Sequence, residues 1–450
     1  MSGQNSQNGV KPQTLEGITR ITVGGFKSIA QEQSIEIRPL TILAGANSSG
    51  KSSIMQPLLL LKQTIQATYD PGALLLDGPN VQFTSADQLL SATTSQNHFS
   101  VGYMTSSKPP VKIYFQKQPD QSFDIVDMIV GDVEPNRFVI DMTHDEILGL
   151  PMLRGESQLA TILSERKLEL SVARHRGVLR LALQSEGAAK STRIPADNLL
   201  SFFGMDEALF NYLPANIYEI IHLPGLRGNP KRTYPVAAFG SPFPGTFENY
   251  TASVLARWQF TKQEGILKIL DDHLNSLGLT NAVTSEAIDA TQLEVRVRRA
   301  PLSSNKDMVS IADVGLGVSQ TLPVLVALLA AKPGQLVYLE QPEIHLHPRA
   351  QTAMAQVLAD AAMRGVRVVA ETHSSLLLLG VQTLVAEGKL PPDLVKLHWF
   401  ERGDDGATTI RSADLDESGA FGDWPEDFDD VTLDAQGRYL DTAERHMAGV

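Results

Sequence analysis

The segment Gly45-Ala46-Asn47-Ser48-Ser49-Gly50-Lys51-Ser52 holds the residue types needed to grip a polyphosphate. It has the spacing G-x-x-x-x-G-K-[ST], follows the apolar run Leu40–Leu43 and precedes a helical run, the context in which such a loop cradles phosphate. Gly45 and Gly50 let the backbone wrap so that N–H groups through Asn47, Ser48 and Ser49 face phosphate oxygens. Lys51 then reaches the terminal phosphates. The hydroxyl of Ser52, with Ser53 beside it at the helix N-terminus, completes a Mg²⁺ shell. The competing reading is a chance Gly/Ser turn, which does not explain why strand and helix flank it in register.

Three further segments carry polar groups at places where chemistry is done. Leu336-Val337-Tyr338-Leu339-Glu340 is an apolar strand ending in an acid, which is how a phosphate-loop protein presents a carboxylate to Mg²⁺ through water. Alone, such a strand is commonplace; after the loop it becomes a metal-side candidate. Val368-Val369-Ala370-Glu371-Thr372-His373-Ser374 is a second strand with a polar end, where His373 either senses a terminal phosphate or is a structural histidine. Gly315, Gly317 and Ser319 stand before the apolar run Leu322–Ala331 and offer either an anion-binding helix N-terminus or a turn with Ser319 as N-cap.

The elements that must position these groups alternate strand and helix. Strands at Leu336–Leu339, Val366–Ala370 and Val395–Phe400 enclose helices at Arg349–Met363 and Leu376–Glu387, the rhythm of a covered parallel sheet. Upstream, strands are expected at Ile18–Val23 and Ser34–Leu43, then a helix to about Gln66 that Pro57 bends. Residues 80–230 mix β-like runs (Val111–Phe115, Phe138–Met142, Val178–Leu183) with a helical stretch at Ile147–Leu170 and carry no heptad repeat. Helices at Phe247–Phe260 and Gly265–Leu277 lead to a strand at Leu293–Arg299. The fold class is therefore α/β, a mostly parallel sheet flanked by helices with an N-terminal β-lobe and an α+β insertion. The expected divisions are a disordered 1–14, an N-terminal core part 15–110, an insertion 111–230, a C-terminal core part 231–402 and an acidic tail 403–450.

Composition narrows the setting. The 450 residues include no cysteine, which excludes disulfides and cysteine-ligated metals and suits the cytoplasm. The leucine runs Leu58–Leu61 and Leu376–Leu379 fall far short of the roughly 20 residues that span a bilayer. Of the net charge of −13, −10 lies in residues 403–450, which hold 13 acidic and 3 basic residues. That end is a solvated surface or a dock for a basic partner, and it is unsuited to nucleic acid.

Together these motifs resemble the ABC-type ATPases, and within them the branch of chromosome-maintenance (SMC), recombination-repair (RecF) and overcoming-lysogenization-defect (OLD) proteins. The strings ITVGGFKSI, PLTILAGANSSGKSS and EQPEIHLHPRAQ are similar to small stand-alone prokaryotic AAA-family ATPases, many of them in antiphage defence operons. The resemblance covers residues 18–80 and 220–430. It implies that Gly45, Asn47, Gly50, Lys51 and Ser52 bind ATP and Mg²⁺, that Glu340 is the Walker B acid and His373 the switch histidine. It also implies that Gly315, Gly317 and Ser319 form a signature that closes over ATP held by a second subunit, giving a head-to-tail homodimer. Glu343–Pro348 matches the loop joining the two sites, a better reading of His345-x-His347 than a metal pair.

Two departures bear on activity. The signature is not L-S-G-G-Q, and the position after Glu340, a glutamate base in the family, is Gln341. An amide orients water but cannot take its proton. Hydrolysis is then slow, or Glu343 or another base substitutes, or Gln341 is a trapping substitution. The cluster Gly225 to Tyr234, with Arg227, Lys231 and Arg232, suits phosphate or nucleic acid, or is a structural loop. The leading expectation is an ATP-gated sensor for a separate, co-encoded effector, a nuclease or toxin, in phage defence; Asp414-x-Asp416 alone makes no nuclease metal site. A DNA-clamping repair ATPase and an ATP-locked scaffold are the alternatives. A membrane partner is not expected.

Overall fold

The computed structural model describes residues 17–94, 96–154, 157–185, 194–195, 215–237, 240, 242–298 and 307–422. Residues 1–14, Arg299 and the 423–450 part of the acidic tail lie outside that set. At the centre is a six-stranded sheet of β1 (Leu40–Gly45), β2 (Ile221–Leu223), β3 (Leu336–Glu340), β4 (Arg367–Thr372), β5 (Val395–Arg402) and β6 (Thr408–Ala413). Their order is β2-β3-β4-β1-β5-β6. The first five run parallel and β6 closes the edge antiparallel to β5. Helices α1 (Lys51–Gln66), α2 (Leu316–Ala330), α3 (Pro348–Met363) and α4 (Ser375–Ala386) accompany it.

Period-two alternation sends the strands' side chains to two separate cores. Leu43, Tyr338, Val369 and Phe400 join the cluster containing Leu58 to Leu61 of α1. Ile42, Val337, Leu339, Val368 and Ala370 join the one containing α2, α3 and α4. Burial on both faces explains why these strands read as unbroken apolar runs. It also puts every second residue of β1, β3 and β4 on the side of the phosphate-binding loop.

The β-lobe is an antiparallel sheet in the order Gln33–Glu36, Ile18–Gly24, His98–Thr105, Val111–Lys117, Phe123–Val130 and Asn136–Phe138. Val111–Lys117 and Phe123–Val130 continue it directly, so residue 111 opens a strand of the same sheet. Likewise Ile221–Leu223 pairs with the central strand β3, so the core resumes before residue 231. At the other end Thr408–Ala413 extends the sheet past residue 402.

Several local expectations change. The run Ser34–Leu43 is two strands in two different sheets, because Pro39 lies between them and offers no N–H to a ladder. The expected helix Ile147–Leu170 is instead a capped helix His144–Leu148, a 3₁₀ turn Pro151–Leu153, a helix Ser157–Glu165 and the strand Leu168–His175. Thr143 and Glu146 close a reciprocal capping box. Pro151 then breaks the helix, and Leu168–His175 is claimed by the hairpin with Val178–Ser185. The strand expected at Phe138–Met142 is Asn136–Phe138, and Phe247–Phe260 starts with a 3₁₀ turn. Helix α1 runs unbroken through Pro57.

Candidate functional site

The loop between β1 and α1 is built on backbone that only glycine accepts easily. Gly45 has φ 141°, and a Cβ there would stand 2.3 Å from the Phe400 carbonyl oxygen. Gly50 has φ 100°, with Thr408 Oγ1 at 2.4 Å from such a Cβ. Ser48, at φ 61°, is a non-glycine residue in the left-handed region, the kind of strain that concentrates at functional sites. The Thr408 hydroxyl, at the start of β6, is 2.8 Å from the Ser49 carbonyl and 2.7 Å from Ser28 Oγ. The carbonyl can only accept, so Thr408 donates to it and Ser28 donates to Thr408.

Lys51 is buried, and its ammonium donates to the carbonyls of Ala46 at 2.7 Å and Gly45 at 3.0 Å. Burial lowers its pKa, while Glu371 and Glu343 oppose that shift. His373 Nδ1 lies 3.4 Å from Lys51 Nζ. Burial and then Lys51 push the imidazole pKa down, so it is neutral with Nδ1 accepting. The loop, Lys51 and His373 therefore face one another, since Lys51 opens α1 after the loop that follows β1 and His373 directly follows β4, the adjacent strand.

Ser52 donates to Glu371, with Oε2 at 2.9 Å and Oε1 at 3.0 Å. Tyr338 Oη donates to the same Glu371 Oε2 at 2.8 Å. Burial, reinforced by the neighbouring charge of Glu340, raises the Glu371 carboxyl. Glu340 sits in register with Glu371 on the next strand, but its carboxylate contacts His222 Nε2 at 3.1 Å and the Gly225 amide at 3.0 Å. Ser52 and Glu340, the expected metal-side pair, are thus not hydrogen-bonded to each other; Glu371 is the acid against Ser52. Burial pushes Glu340 up, yet the His222 hydrogen bond and the Gly225 amide together hold it below the usual range.

Gln341 follows in a left-handed conformation at φ 45°, its amide bonded to the Glu371 carbonyl. Glu343 is buried behind the turn, accepting from Thr372 Oγ1 at 2.5 Å and the His373 amide at 3.2 Å. Its second oxygen has no hydrogen-bond partner, and burial raises its pKa. A cleft of about 720 Å³ opens over the loop; Asn47 to Ser53, Gln341, Glu371 and His373 line it, Glu340 and Glu343 do not. Lys27 and Arg402 stand at its rim.

The Gly315–Ser319 turn lies elsewhere on the molecule and contributes nothing to this cleft. Gly315, rather than Ser319, is the N-cap residue of α2, and the Ser319 hydroxyl bonds back to the Leu316 carbonyl. Arg227 is buried and donates to the carbonyls of Gln320, Glu340 and Gln341, while Arg232 pairs with Asp313. Arg227 is thus occupied within the chain, while Arg232 stands in an exposed surface pair. Asp414 accepts from Lys396 and pairs with Arg38, and His347 Nδ1 accepts from the Arg349 amide. Among the described residues no group of three or more His, Cys, Asp or Glu side chains could hold a metal ion.

The residues present fit a Mg²⁺-nucleotide. The cradle excludes any Cβ at Gly45 or Gly50, the lysine rests on loop carbonyls that phosphate would outcompete, and a hydroxyl–carboxylate pair stands beside the helix N-terminus. Two contributors escaped sequence reasoning. Glu371 was visible only as part of a polar strand end, since its proximity to Ser52 depends on β4 lying next to β1. His222 carried no signal of its own.

A phosphate-binding loop at the end of a parallel strand, with acids and a histidine on the adjoining strand ends, defines a P-loop ATPase core. The chain belongs to the family described as "AAA domain, putative AbiEii toxin, Type IV TA system", whose model matches residues 40–122 and 155–379. No curated protein matches the sequence. Among solved structures, the chain is similar to an SMC head bound to the C-winged helix domain of ScpA (13% identity, 89% of this chain and 99% of that one, TM-score 0.43). Others are the SMC head domain from Thermotoga maritima (10%, 88% and 98%, 0.37) and the Pyrococcus furiosus Smc head bound to a ScpA domain (12%, 89% and 97%, 0.45). Likenesses of this size carry no assignment. No helix among the described residues is long and apolar enough to cross a membrane.

Proposed function

We propose that this chain is an ATP-driven switch: it binds Mg²⁺-ATP in the cleft over Gly45–Ser53, and a second copy closes that cleft with its Gly315–Ser319 turn. One observation carries the reading. The glycine cradle, Lys51, Ser52, Glu371, Gln341 and His373 converge on one open cleft, while the signature turn lies apart from it and is left for a neighbouring subunit.

Within the site, loop amides and Lys51 hold the phosphates. Ser52 and Glu371 line the cleft and would hold Mg²⁺, with Glu340, one strand farther out, reaching it through water; the ion would supply charge neutralisation to the polyphosphate. His373, neutral and within reach of Lys51, reads the terminal phosphate. Gln341 orients the attacking water without accepting its proton. Glu371, which lines the cleft and is raised by burial, is the carboxylate placed for that task, with Glu343 buried behind the turn. Turnover is therefore slow, and the bound nucleotide acts chiefly through the shape it imposes.

The output of such a switch is a partner. The sequence resemblance to stand-alone defence ATPases favours a separate, co-encoded effector in antiphage defence, while the family description names a putative toxin of a type IV toxin–antitoxin system. A DNA clamp has less support, because Arg227 is engaged internally and Arg232 is paired with Asp313. Calorimetry of parent and Lys51→Ala with ATP tests the foundation. The parent binds and the variant loses at least about tenfold in affinity, as expected when a charge-assisted phosphate contact is removed; equal binding defeats the proposal.

A further inference from the structure

The parallel pairing of β2 with β3 sets His222 opposite Tyr338, and the two rings stack with centroids 5.4 Å apart and planes 12° from parallel. His222 is 1% exposed. Its Nε2 lies 3.1 Å from Glu340 Oε1 and its Nδ1 lies 3.2 Å from Asn80 Nδ2. Chemistry fixes the protons along this line. Asn80 Nδ2 also donates to the Gly245 carbonyl at 3.1 Å, and Asn80 Oδ1 faces the Lys62 ammonium at 3.5 Å. The amide nitrogen is therefore the group turned to the ring. His222 Nδ1 must accept, which leaves the proton on Nε2 to be donated to Glu340. The other carboxylate oxygen takes the Gly225 amide.

Glu340 and Glu371 stand in register on adjacent strands, two acids that repel each other. Each has its own orienting group: His222 for Glu340, and Tyr338 for Glu371. Nothing in the motif reading assigns His222 or Asn80 a part.

We propose that His222, its tautomer set by Asn80, is the positioning residue of the Walker B acid and thereby sets the divalent-cation affinity of the nucleotide site. This rests on the reading of the cleft as a Mg²⁺-nucleotide site. A histidine that never meets the cation but fixes the acid that reaches it through water is an arrangement in which outer partners cost about 10–100-fold in metal affinity when removed.

The test is Mn²⁺ binding followed by electron paramagnetic resonance on the full chain with a non-hydrolysable ATP analogue, alongside metal-free nucleotide binding by calorimetry. His222→Phe keeps the stacking ring but donates nothing, and Mn²⁺ affinity falls about tenfold or more while metal-free nucleotide binding is unchanged. His222→Gln restores a donor toward Glu340 and recovers most of the affinity. His222→Leu, which likewise donates nothing, stands in should His222→Phe fail to fold, and Asn80→Leu, which removes the donor to Nδ1, lowers Mn²⁺ affinity in the same direction. Parent-like Mn²⁺ affinity in the folded His222→Phe or His222→Leu protein overturns the proposal alone, and parent-like affinity in Asn80→Leu overturns the part given to Asn80. A parent that binds no Mn²⁺-nucleotide overturns the site reading with it.

Discussion

At the scale of single residues, the site is a set of polar groups whose protonation burial and hydrogen bonding decide between them. Glu371 is both the acid against Ser52 and the carboxylate raised by its surroundings, so Glu371→Gln is expected to lower single-turnover ATP cleavage by about 10²–10⁴-fold with the nucleotide still bound. Gln341 lines the same cleft from a left-handed position. Gln341→Glu places a proton acceptor there, and its single-turnover rate is expected to rise at least about tenfold. Equal rates in parent and Gln341→Glu would mean that the proton already leaves by another carboxylate. The residues of the loop were legible from type and spacing alone, because phosphate binding demands glycines, a lysine and a hydroxyl at set intervals. Glu371 and His222 were not, since no spacing links them to residues 45–52.

Elements decide which of those residues meet. Strand β4 lies between β1 and β3, so the histidine and acid at its end stand beside the loop, and the acid of β3 stands one strand farther out. On β5, His398 is buried as a neutral ring, with Nε2 2.8 Å from the Glu36 carbonyl and Nδ1 2.8 Å from Ser412 Oγ. Burial drops its pKa from 6.5 to about 4. Between those two values the unfolded chain binds the proton and the folded chain does not, so stability present above pH 6.5 is lost as pH falls toward 4. The loss amounts to roughly 3 kcal/mol. Urea denaturation across that range, compared with His398→Gln, checks it: the parent's stability falls more steeply with acid, and identical slopes would refute the assignment. The strand–helix alternation was readable in residues 336–400, where apolar runs of strand length alternate with helical periodicity. It was misread in Ile147–Leu170, where Pro151 and the hairpin partner Val178–Ser185 outweighed helical propensity.

For the whole molecule, the question is what covers the cleft. Gly315 caps α2 with φ −64°, and a Cβ there would meet nothing within 4 Å. Gly315→Glu is thus expected to leave folding and ATP binding intact. In the proposed dimer it would place a negative charge beside the terminal phosphates held by the second copy and is expected to abolish any ATP-dependent dimerisation, as light scattering after size exclusion can show. Dimers of the variant equal to those of the parent would remove the signature turn from the interface.

By itself the amino-acid order determined the phosphate-binding loop, the α/β class and the polar ends of three strands. These properties depend on contacts a few residues apart, and their physical requirements leave a local pattern. Only the tertiary structure decided that Glu371 rather than Glu340 contacts Ser52, that His222 and Asn80 hold Glu340, and that Arg227 ties α2 to the end of β3. Those pairings span about a hundred residues or more in most cases, and they follow from strand order and register, which many sequences of the same local pattern could arrange differently.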